Sequence, residues 1–233
     1  MGKGERGGHK ASYLRHRGRL TKGQRRALEN AGPQWLVGQG AGVVDWSAEF
    51  SRQAPLGVEI GFGMGHALLA WAQAAPAWNL LGIEVYQPGI GALLLRAKLA
   101  ELSNLRLLDD DAGHALQNTC SPGSLQEVRI FFPDPWPKNR HHKRRLIQPG
   151  FVKLLASRLA PGGTLLLATD WQPYARWMLQ CLEAESSLAN LSTDGFASHR
   201  ATRPVTRFEA RGQRLGHEVW DLAYRKRDSR APG

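Results

Sequence analysis

Short apolar runs alternate with longer amphipathic stretches through the middle of the chain. Five runs have the length and aliphatic character of buried strands: residues 56–60, 79–85, 105–109, 128–132 and 164–170. Each is followed by a stretch with helical character. Strands that alternate with helices indicate an α/β fold in which a mostly parallel, doubly wound sheet is covered on both faces.

The two ends of the chain depart from this alternation. Thr21-Lys-Gly-Gln24 has the form of a capping box and predicts a helix that runs to about Asn30, whereas residues 31–54 are rich in Gly and predict irregular structure. Residues 203–227 lack a long helical period, and two strand-like stretches there flank Arg-Gly-Gln-Arg-Leu-Gly, which predicts an antiparallel edge. We expect a basic arm without regular structure over residues 1–20 and a single domain over residues 21–228.

Charge is segregated along the chain. The formal net charge is +11, but residues 1–26, 138–145 and 200–233 together carry +18, and the rest of the chain carries −7. This distribution indicates a polyanionic partner, with nucleic acid preferred over tails that only aid solubility. The two cysteines have no disulfide-framework or metal-site spacing, and no apolar run approaches the ~20 residues of a membrane span. We therefore expect a cytoplasmic protein with no metal site and no membrane contact.

A Gly-rich turn, residues 61–65, follows the first predicted strand and opens a helix. Gly61 and Gly63 permit a tight turn and a close approach of the backbone to a ligand. The spacing is G-x-G-x-G and not the dinucleotide fingerprint G-x-G-x-x-G. Taken alone, the turn is equally consistent with a purely structural role.

Carboxylates accompany this turn on successive strands. Glu59 lies in the strand before it, Glu84 ends the next strand, where a carboxylate can accept both ribose hydroxyls, and Asp111 follows the third, where it could face an adenine amino group. Each has an ordinary alternative as a cap or turn residue, and the alternative is strongest for Asp111, one of three adjacent aspartates. An acid beside the loop suits a cationic cofactor that has a ribose and an adenine but no pyrophosphate. S-adenosylmethionine meets that description.

A proline-rich stretch, FFPDPWPK, follows the fourth predicted strand and leads into a basic run. Because a proline restricts the residue before it, we expect extended conformations throughout and a rigid loop that presents one carboxylate. The alternative is a structural polyproline turn with a solvated aspartate. The residues that these prolines restrict are Phe132, Asp134 and Trp136.

Several motifs in the same order resemble those of the bacterial tRNA (guanine-N7)-methyltransferase family. They are EIGFGMG (59–65), GIEV (82–85), FFPDPWPK (131–138), RHHKRR (140–145), ATDW (168–171) and RPVTRFEARGQRLGH (203–217), and the resemblance spans about residues 14–225. It implies a Rossmann-like class I methyltransferase fold. It also implies methyl transfer from S-adenosylmethionine to N7 of guanosine 46 in the variable loop of tRNA.

The resemblance also assigns roles to single residues. It implies that Glu59, Glu84 and Asp111 contact the methyl donor beside Gly61 and Gly63, and that Asp134 lies between donor and target and is catalytic. It assigns substrate contacts to Lys138, Asp170, Thr206, Arg207, Phe208 and Glu209, and RNA contacts to Arg140, His141, His142, Lys143, Arg144 and Arg145. Pro137 departs from the pattern, which concerns the rigidity of the loop and not its chemistry.

Guanine N7 already carries a lone pair, so we expect Asp134 to orient the reactants and stabilise the developing cation. Asp170 and Glu209 could read the Watson–Crick edge of the base, and Phe208 or Trp136 could stack on it. Three alternatives stay open at this point: methylation of an exocyclic amine of a nucleobase, an NAD-dependent oxidoreductase, and a non-enzymatic RNA-binding module. The choice between monomer and homodimer also stays open.

Overall fold

A seven-stranded mixed sheet forms the centre of the protein. The structure, a computed structural model, describes residues 18–38, 42–197 and 218–228. In these residues the sheet order is β3-β2-β1-β4-β5-β7-β6. The strands are β1 Leu56–Ile60, β2 Asn79–Glu84, β3 Leu105–Asp109, β4 Leu125–Phe131, β5 Leu159–Thr169, β6 Leu188–Asn190 and β7 Trp220–Lys226.

Helices cover both faces of the sheet. They are α1 Lys22–Asn30, α2 Gly32–Trp35, α3 Trp46–Glu49, α4 His66–Ala74, α5 Gln87–Leu99, α6 Ala112–Thr119, α7 Pro149–Arg158 and α8 Gln172–Glu183, with a 3-10 helix over Asn139–Arg144. One apolar cluster packs the side chains of α1, α2, α4 and α5 against one face. A larger cluster packs those of α3, α6, α7 and α8 against the other. The predicted doubly wound architecture is confirmed.

The first five strands are parallel, so their carboxyl ends lie at the same edge. Residue pairs such as Val58↔Leu81 and Ile83↔Leu108 set the register of β1, β2 and β3, and Ile130↔Leu167 sets that of β4 and β5. Strand β7 runs antiparallel to β5, and the predicted antiparallel edge is confirmed there. The other strand-like stretch of that prediction, near residues 203–209, lies outside the described residues.

Helix α1 begins as the sequence predicts. The backbone N–H of Gln24 donates to Thr21 Oγ1 at 3.2 Å, and the backbone N–H of Thr21 donates to Gln24 Oε1 at 2.9 Å, which completes the capping box. Gln24 Nε2 also donates to the backbone oxygen of Pro88 at 3.0 Å. The cap therefore also attaches α1 to the first turn of α5, at the carboxyl edge of the sheet.

Residues 31–54 depart from the irregular structure that their Gly content predicts. They include the short helices α2 and α3, and each helix contributes a buried tryptophan. The indole of Trp35 donates to the backbone oxygen of Leu102, and that of Trp46 donates to the backbone oxygen of Thr119, both at 3.1 Å. Burial of two large aromatic side chains orders a stretch whose local composition does not favour regular structure. No helix in the described part of the chain is long and apolar enough to cross a membrane.

Candidate active site

A cavity of about 200 Å³ lies at the carboxyl edge of the sheet. The ends of β1, β2, β3 and β4 all contribute to its lining. The lining residues are Ile60, Gly61, Ile83, Glu84, Val85, Asp110, Asp111, Ala112, Phe132, Pro133, Asp134 and Leu146. This edge is where ligands bind to open parallel sheets, and four residues predicted from the sequence meet there: Gly61, Glu84, Asp111 and Asp134.

The Gly-rich turn is open toward the cavity. Gly61 and Gly63 have φ angles of 70° and 53°, in the left-handed region that favours glycine. A Cβ atom added at either position would meet no atom within 4 Å, so the backbone conformation, and not crowding inside the protein, favours glycine there. The first turn of α5 packs beneath the loop, since a Cβ atom at Gly89 would lie 2.0 Å from the backbone oxygen of Gly63. The loop thus leaves space for a ligand on one side and rests on α5 on the other.

Glu84 fixes the loop to the end of β2. Its Oε2 accepts the backbone N–H of Gly63 at 2.7 Å, and its Oε1 accepts those of Val85 and Tyr86 at 2.7 and 3.0 Å. A carboxylate offers about four acceptor positions, so about one remains for a ligand hydroxyl. Glu84 lines the cavity and also shapes the loop opposite it.

Asp111 caps a helix and also lines the cavity, and its predicted contact with an adenine amino group stays a prediction. Its Oδ1 accepts the backbone N–H groups of Gly113 and His114 at 3.0 and 3.2 Å, so it caps α6. It also lines the cavity. The neighbouring Asp110 lines the cavity as well, and its Oδ2 lies 2.5 Å from His114 Nδ1. The capping bonds hold the Asp111 carboxylate at the cavity wall.

Glu59 lies beneath the cavity and not in its wall. The side chain is buried, and its Oε2 has no hydrogen-bond partner. Burial raises the pKa of this carboxyl to about 8, against the lowering effect of the Arg129 guanidinium, and the nearby Glu84 raises it further. The predicted contact between Glu59 and the donor stays a prediction.

The loop that carries Asp134 is held from two sides. The backbone N–H of Phe132 donates to the backbone oxygen of Ala168 at 2.8 Å, which keeps the end of β4 beside β5. Arg145 is buried, and its Nε donates to the backbone oxygen of Pro135 at 2.9 Å. Between these anchors the Asp134 side chain is exposed and borders the cavity. The loop presents one carboxylate from a fixed backbone.

The extended conformation predicted for this loop is wrong at two positions. Phe132 and Trp136 have φ angles of 54° and 43°, in the left-handed region, although each precedes a proline. Such conformations cost on the order of 1–3 kcal/mol each and persist where the surroundings impose them. The strain lies on both sides of Asp134, so the loop turns sharply around the carboxylate.

The basic segment after this loop forms a 3-10 helix. Lys138, Arg140 and Lys143 are exposed. The His141 ring meets the Trp136 indole edge-on at 5.6 Å between centroids, and the Arg144 guanidinium lies 5.2 Å from the centre of the same indole. Desolvation lowers the pKa of His141, and nearby cations lower it further: Arg144, Arg140, Lys138 and Lys143. The segment thus presents concentrated positive charge beside the Asp134 loop.

Two members of the basic run are directed inward. Arg145 Nη2 lies 3.0 Å from His142 Nε2, and the Arg145 guanidinium lies 5.0 Å from the centre of the Tyr174 ring. His142 accepts a hydrogen bond on its backbone oxygen from Gln148 Nε2 at 2.8 Å. These contacts hold the segment to the domain. RNA contacts for Arg145 and His142 stay predictions.

Asp170 follows β5 at the carboxyl edge, one strand beyond the Asp134 loop. The remaining predicted substrate residues, Thr206, Arg207, Phe208 and Glu209, lie outside the described residues. Trp136 was a candidate for stacking on a base, but its ring contacts His141 and Arg144. In the described ranges, no group of three or more His, Cys, Asp or Glu side chains is arranged to hold a metal ion.

The sequence did not identify Arg129 as part of this site, and it assigned Arg145 to RNA contact and not to the anchoring of the Asp134 loop. Both are buried arginines, one beside Glu59 and one beneath the Asp134 loop. An arginine within an apolar strand run was the available signal for Arg129. Arg145 stands in a run of basic residues, and nothing in that run distinguishes an inward-facing member from a solvent-facing one.

This is a class I methyltransferase fold. Its marks are the strand order with an antiparallel β7, the open Gly-rich turn after β1, and the carboxylates at the ends of β2 and β3. Solved methyltransferase structures have a similar fold. The 16S rRNA (adenine(1408)-N(1))-methyltransferase from Catenulisporales acidiphilia has a TM-score of 0.55 at 18% identity over 81% of this chain and 93% of its own. The 16S rRNA methyltransferase KamB has a TM-score of 0.54 at 16% identity over 83% and 99%.

Sequence comparisons are more specific. A family model described as "Putative methyltransferase" matches residues 53–222. A tRNA (guanine-N(7)-)-methyltransferase of Paraburkholderia xenovorans (strain LB400) is 52% identical over 93% of this chain and 83% of its own length. A protein of the same name from Acidovorax sp. (strain JS42) is 50% identical over 93% and 86%. The chain belongs to the tRNA (guanine-N(7)-)-methyltransferase family.

Proposed function

We propose that this protein transfers the methyl group of S-adenosylmethionine to N7 of guanosine 46 in the variable loop of tRNA, in the cytoplasm. One observation supports the proposal most strongly. The anchored loop around Asp134 opens into the same cavity as the Gly-rich turn, Glu84 and Asp111. Two relatives that are about half identical to this chain over most of its length are named for the same reaction, which supports the proposal.

The chain's residues fit the donor. Gly61 and Gly63 leave open space above the loop, Glu84 has about one free acceptor position for a ribose hydroxyl, and Asp111 holds an oxygen at the cavity wall. The carboxylates of Glu84 and Asp111 favour a ligand that carries positive charge. When bound there, S-adenosylmethionine supplies an electrophilic methyl group on a sulfonium.

Asp134 stabilises charge in this reaction and does not need to act as a base. N7 of guanine uses a lone pair to form the bond to the methyl carbon, so no proton leaves first, and positive charge appears on the purine. A fixed carboxylate near that charge lowers the barrier because it needs no reorganisation. The two anchors of the loop, through Phe132 and Arg145, supply that fixed position.

The substrate base is recognised from the far side of N7. Its N1–H and N2–H₂ groups are donors, and we assign them to the carboxylates of Asp170 and Glu209, with Lys138 and the run Thr206, Arg207 and Phe208 as further contacts. This assignment rests on the family resemblance and on the position of Asp170 beside the Asp134 loop.

The RNA backbone is held by the basic segment. Lys138, Arg140 and Lys143 are exposed, and Arg144 borders Trp136, so phosphates bound there would lie beside the Asp134 loop. His141 belongs to the same surface. The anchors Arg145 and His142 contribute by keeping this surface in place.

The experiment that tests the proposal is methyl transfer to unmodified tRNA transcripts with labelled S-adenosylmethionine. Reduction and strand cleavage then locate 7-methylguanosine. We expect one break at guanosine 46, no label in a transcript with adenosine there, and turnover reduced about 100-fold or more by Asp134→Asn with much of the tRNA affinity retained. Asp228→Asn, an exposed change beyond the end of β7 at the opposite edge, is the control and should have wild-type turnover.

Two other outcomes are informative. Label in RNA without a break would favour methylation of an exocyclic amine, and tRNA binding without any label would favour an RNA-binding module. Unchanged turnover in Asp134→Asn would contradict the role of that carboxylate.

A further inference from the structure

Three ionisable side chains lie together beneath the Gly-rich turn. Glu59 on β1 is register partner to Arg129 on β4, and the Glu84 charge on β2 acts on Glu59 as well. All three are buried. The Glu59 carboxyl is therefore close to one guanidinium and to a second carboxyl group, that of Glu84, which also lines the cavity.

Arg129 is held in place by its other contacts. Its guanidinium lies over the Trp71 indole at 3.6 Å from the ring centre, and its Nε donates to Glu127 Oε1 at 2.6 Å. Glu127 is fixed in turn, since its Oε2 accepts the Thr164 hydroxyl at 3.0 Å. The guanidinium thus already has a carboxylate partner, and it acts on Glu59 as a fixed nearby charge.

Glu59 is left with an incomplete environment. Its Oε2 is buried without a hydrogen-bond partner, a condition that is costly for an ionised carboxylate. Its pKa of about 8 means that the carboxyl is mostly protonated at neutral pH, because burial outweighs the effect of Arg129 and Glu84 opposes ionisation. These are the charged groups that face it: Arg129 from β4 and Glu84 from β2.

A cation bound above the loop would change this balance. S-adenosylmethionine carries an ammonium, a sulfonium and one carboxylate, so it brings one net positive charge. In a site of low dielectric that charge acts on Glu59 over a distance, so the effect does not require the donor to touch the carboxyl. Ionisation of Glu59 then costs less in the complex than in the free protein.

We propose that Glu59 releases its proton to solvent when the cationic donor binds, and that Arg129 is the positioning residue that sets the pH at which this release occurs. The inference rests on the proposed function, because it takes S-adenosylmethionine as the ligand. The donor keeps its ammonium proton in this step, and the buffer accepts the proton of Glu59. Donor affinity and pH are then linked through a residue that lies outside the cavity wall.

The test is calorimetric titration of the full chain with S-adenosylmethionine from pH 6 to 9, in two buffers of different ionisation enthalpy. The donor's own amino group titrates at about pH 7.7–8.0, so the Glu59→Gln protein is run in parallel and its proton count is subtracted. We expect the wild-type protein to release about 0.9 more protons per bound donor than Glu59→Gln at pH 7, and about 0.5 more at pH 8. The affinity of the wild-type protein for the donor should increase about tenfold as pH increases from 6 to 7. It should increase more slowly above pH 7.

Arg129 is tested with a matched pair of variants. Arg129→Met should move the midpoint of proton release upward by about one pH unit. Arg129→Lys, which keeps the charge, should restore the midpoint toward the wild-type value. Arg106→Met is the control, because Arg106 also stacks on an aromatic ring, that of Phe50 at 4.7 Å, and pairs with Glu49 at 2.7 Å, but lies on β3 away from Glu59.

The outcomes separate the two proposals. Donor binding with equal proton counts in wild type and Glu59→Gln would overturn the role of Glu59. An unchanged midpoint in Arg129→Met would overturn the role of Arg129. No binding of the donor by any of the proteins would overturn the proposed function, and this inference with it.

Discussion

Gly61 and Gly123 have nearly the same backbone conformation in different surroundings. Their φ angles are 70° and 69°, and a Cβ atom at either position would meet no atom within 4 Å. Gly61 borders the cavity, whereas Gly123 lies in the turn before β4, at the opposite edge of the sheet. The pair therefore separates the cost of a left-handed conformation from the effect of a side chain in the donor site.

We predict that Gly61→Ala and Gly123→Ala lose similar stability, about 1 kcal/mol each, because both impose a left-handed conformation on alanine. Only Gly61→Ala should weaken donor binding, by about tenfold or more, since the methyl group enters the space above the loop. Thermal unfolding and calorimetric titration with S-adenosylmethionine measure the two effects. Equal donor affinity in both variants would place the donor elsewhere.

Glu59 makes stability depend on pH in the free protein. Its pKa is about 8 in the folded state and about 4.5 when unfolded, so the folded state holds more protons between these values and stability falls as pH rises through that window. Glu59→Gln removes this dependence. We predict that the variant differs from wild type by less than about 1 kcal/mol at pH 5 and is more stable by roughly 4 kcal/mol at pH 8.

Thermal unfolding at several pH values without donor measures this difference. Glu101→Gln, an exposed change after α5, is the control and should follow the wild-type curve. A stability difference between Glu59→Gln and wild type that does not grow with pH would show that the Glu59 carboxyl is ionised in the folded protein.

Some features of single residues could be predicted from the sequence and others could not. The spacing of Gly61, Glu84 and Asp111 after successive strands placed them at one cavity, and the structure brings them together. The left-handed conformations of Phe132 and Trp136 were not predictable from local rules, because a following proline favours extended backbone. Long-range hydrogen bonds from Phe132 to Ala168 and from Arg145 to Pro135 hold the loop near these positions, and no local pattern contains them.

At the scale of elements, the Asp134 loop depends on one buried arginine. Arg145 donates to the backbone oxygen of Pro135, contacts His142 and lies over Tyr174, so it joins the loop, the 3-10 helix and α8. Strain at Phe132 and Trp136 is maintained only while such anchors exist. The position of the Asp134 carboxylate should therefore depend on Arg145.

We predict that Arg145→Met lowers turnover about tenfold or more and leaves donor affinity within about twofold, because the loop loses its anchor while the Gly-rich turn is unaffected. A stability loss of roughly 1–3 kcal/mol should accompany it. Arg158→Met is the matched control, since Arg158 Nε also donates to a backbone oxygen, that of Leu116 at 3.1 Å, on α7. Similar turnover losses in both variants would show a general effect of destabilisation.

Elements with a clear period were predicted and those formed by packing were not. Strand β1 has the predicted bounds, and α1 begins at its predicted cap. The three-residue β6 was missed because it is shorter than any periodic signal, and it forms only by pairing with β7. Strand β4 begins at Leu125, three residues before its apolar run, because pairing with Leu159 extends it.

At the scale of the whole molecule, the sheet separates two kinds of surface. The carboxyl edge carries the cavity, the Asp134 loop and the basic 3-10 helix. The opposite edge carries the end of α5 and the end of β7, with exposed basic residues of its own: Lys98, Arg225 and Arg227. If tRNA binds over the active site, phosphates should contact the first set of cations and not the second.

The salt dependence of tRNA binding tests this arrangement. With about six phosphates engaged, log affinity should fall against log salt with a slope of roughly −4 for single strands and more steeply for duplex. We predict that replacing Lys138, Arg140 and Lys143 together by alanine makes the slope less negative by about 2 to 3.

The triple replacement of Lys98, Arg225 and Arg227 by alanine is the control. It removes the same charge at the opposite edge and should change the slope by less than about 1. Equal effects of both triple variants would mean that tRNA responds to net charge alone, and a wild-type slope near −1 would mean that the 3-10 helix is only a solvated surface.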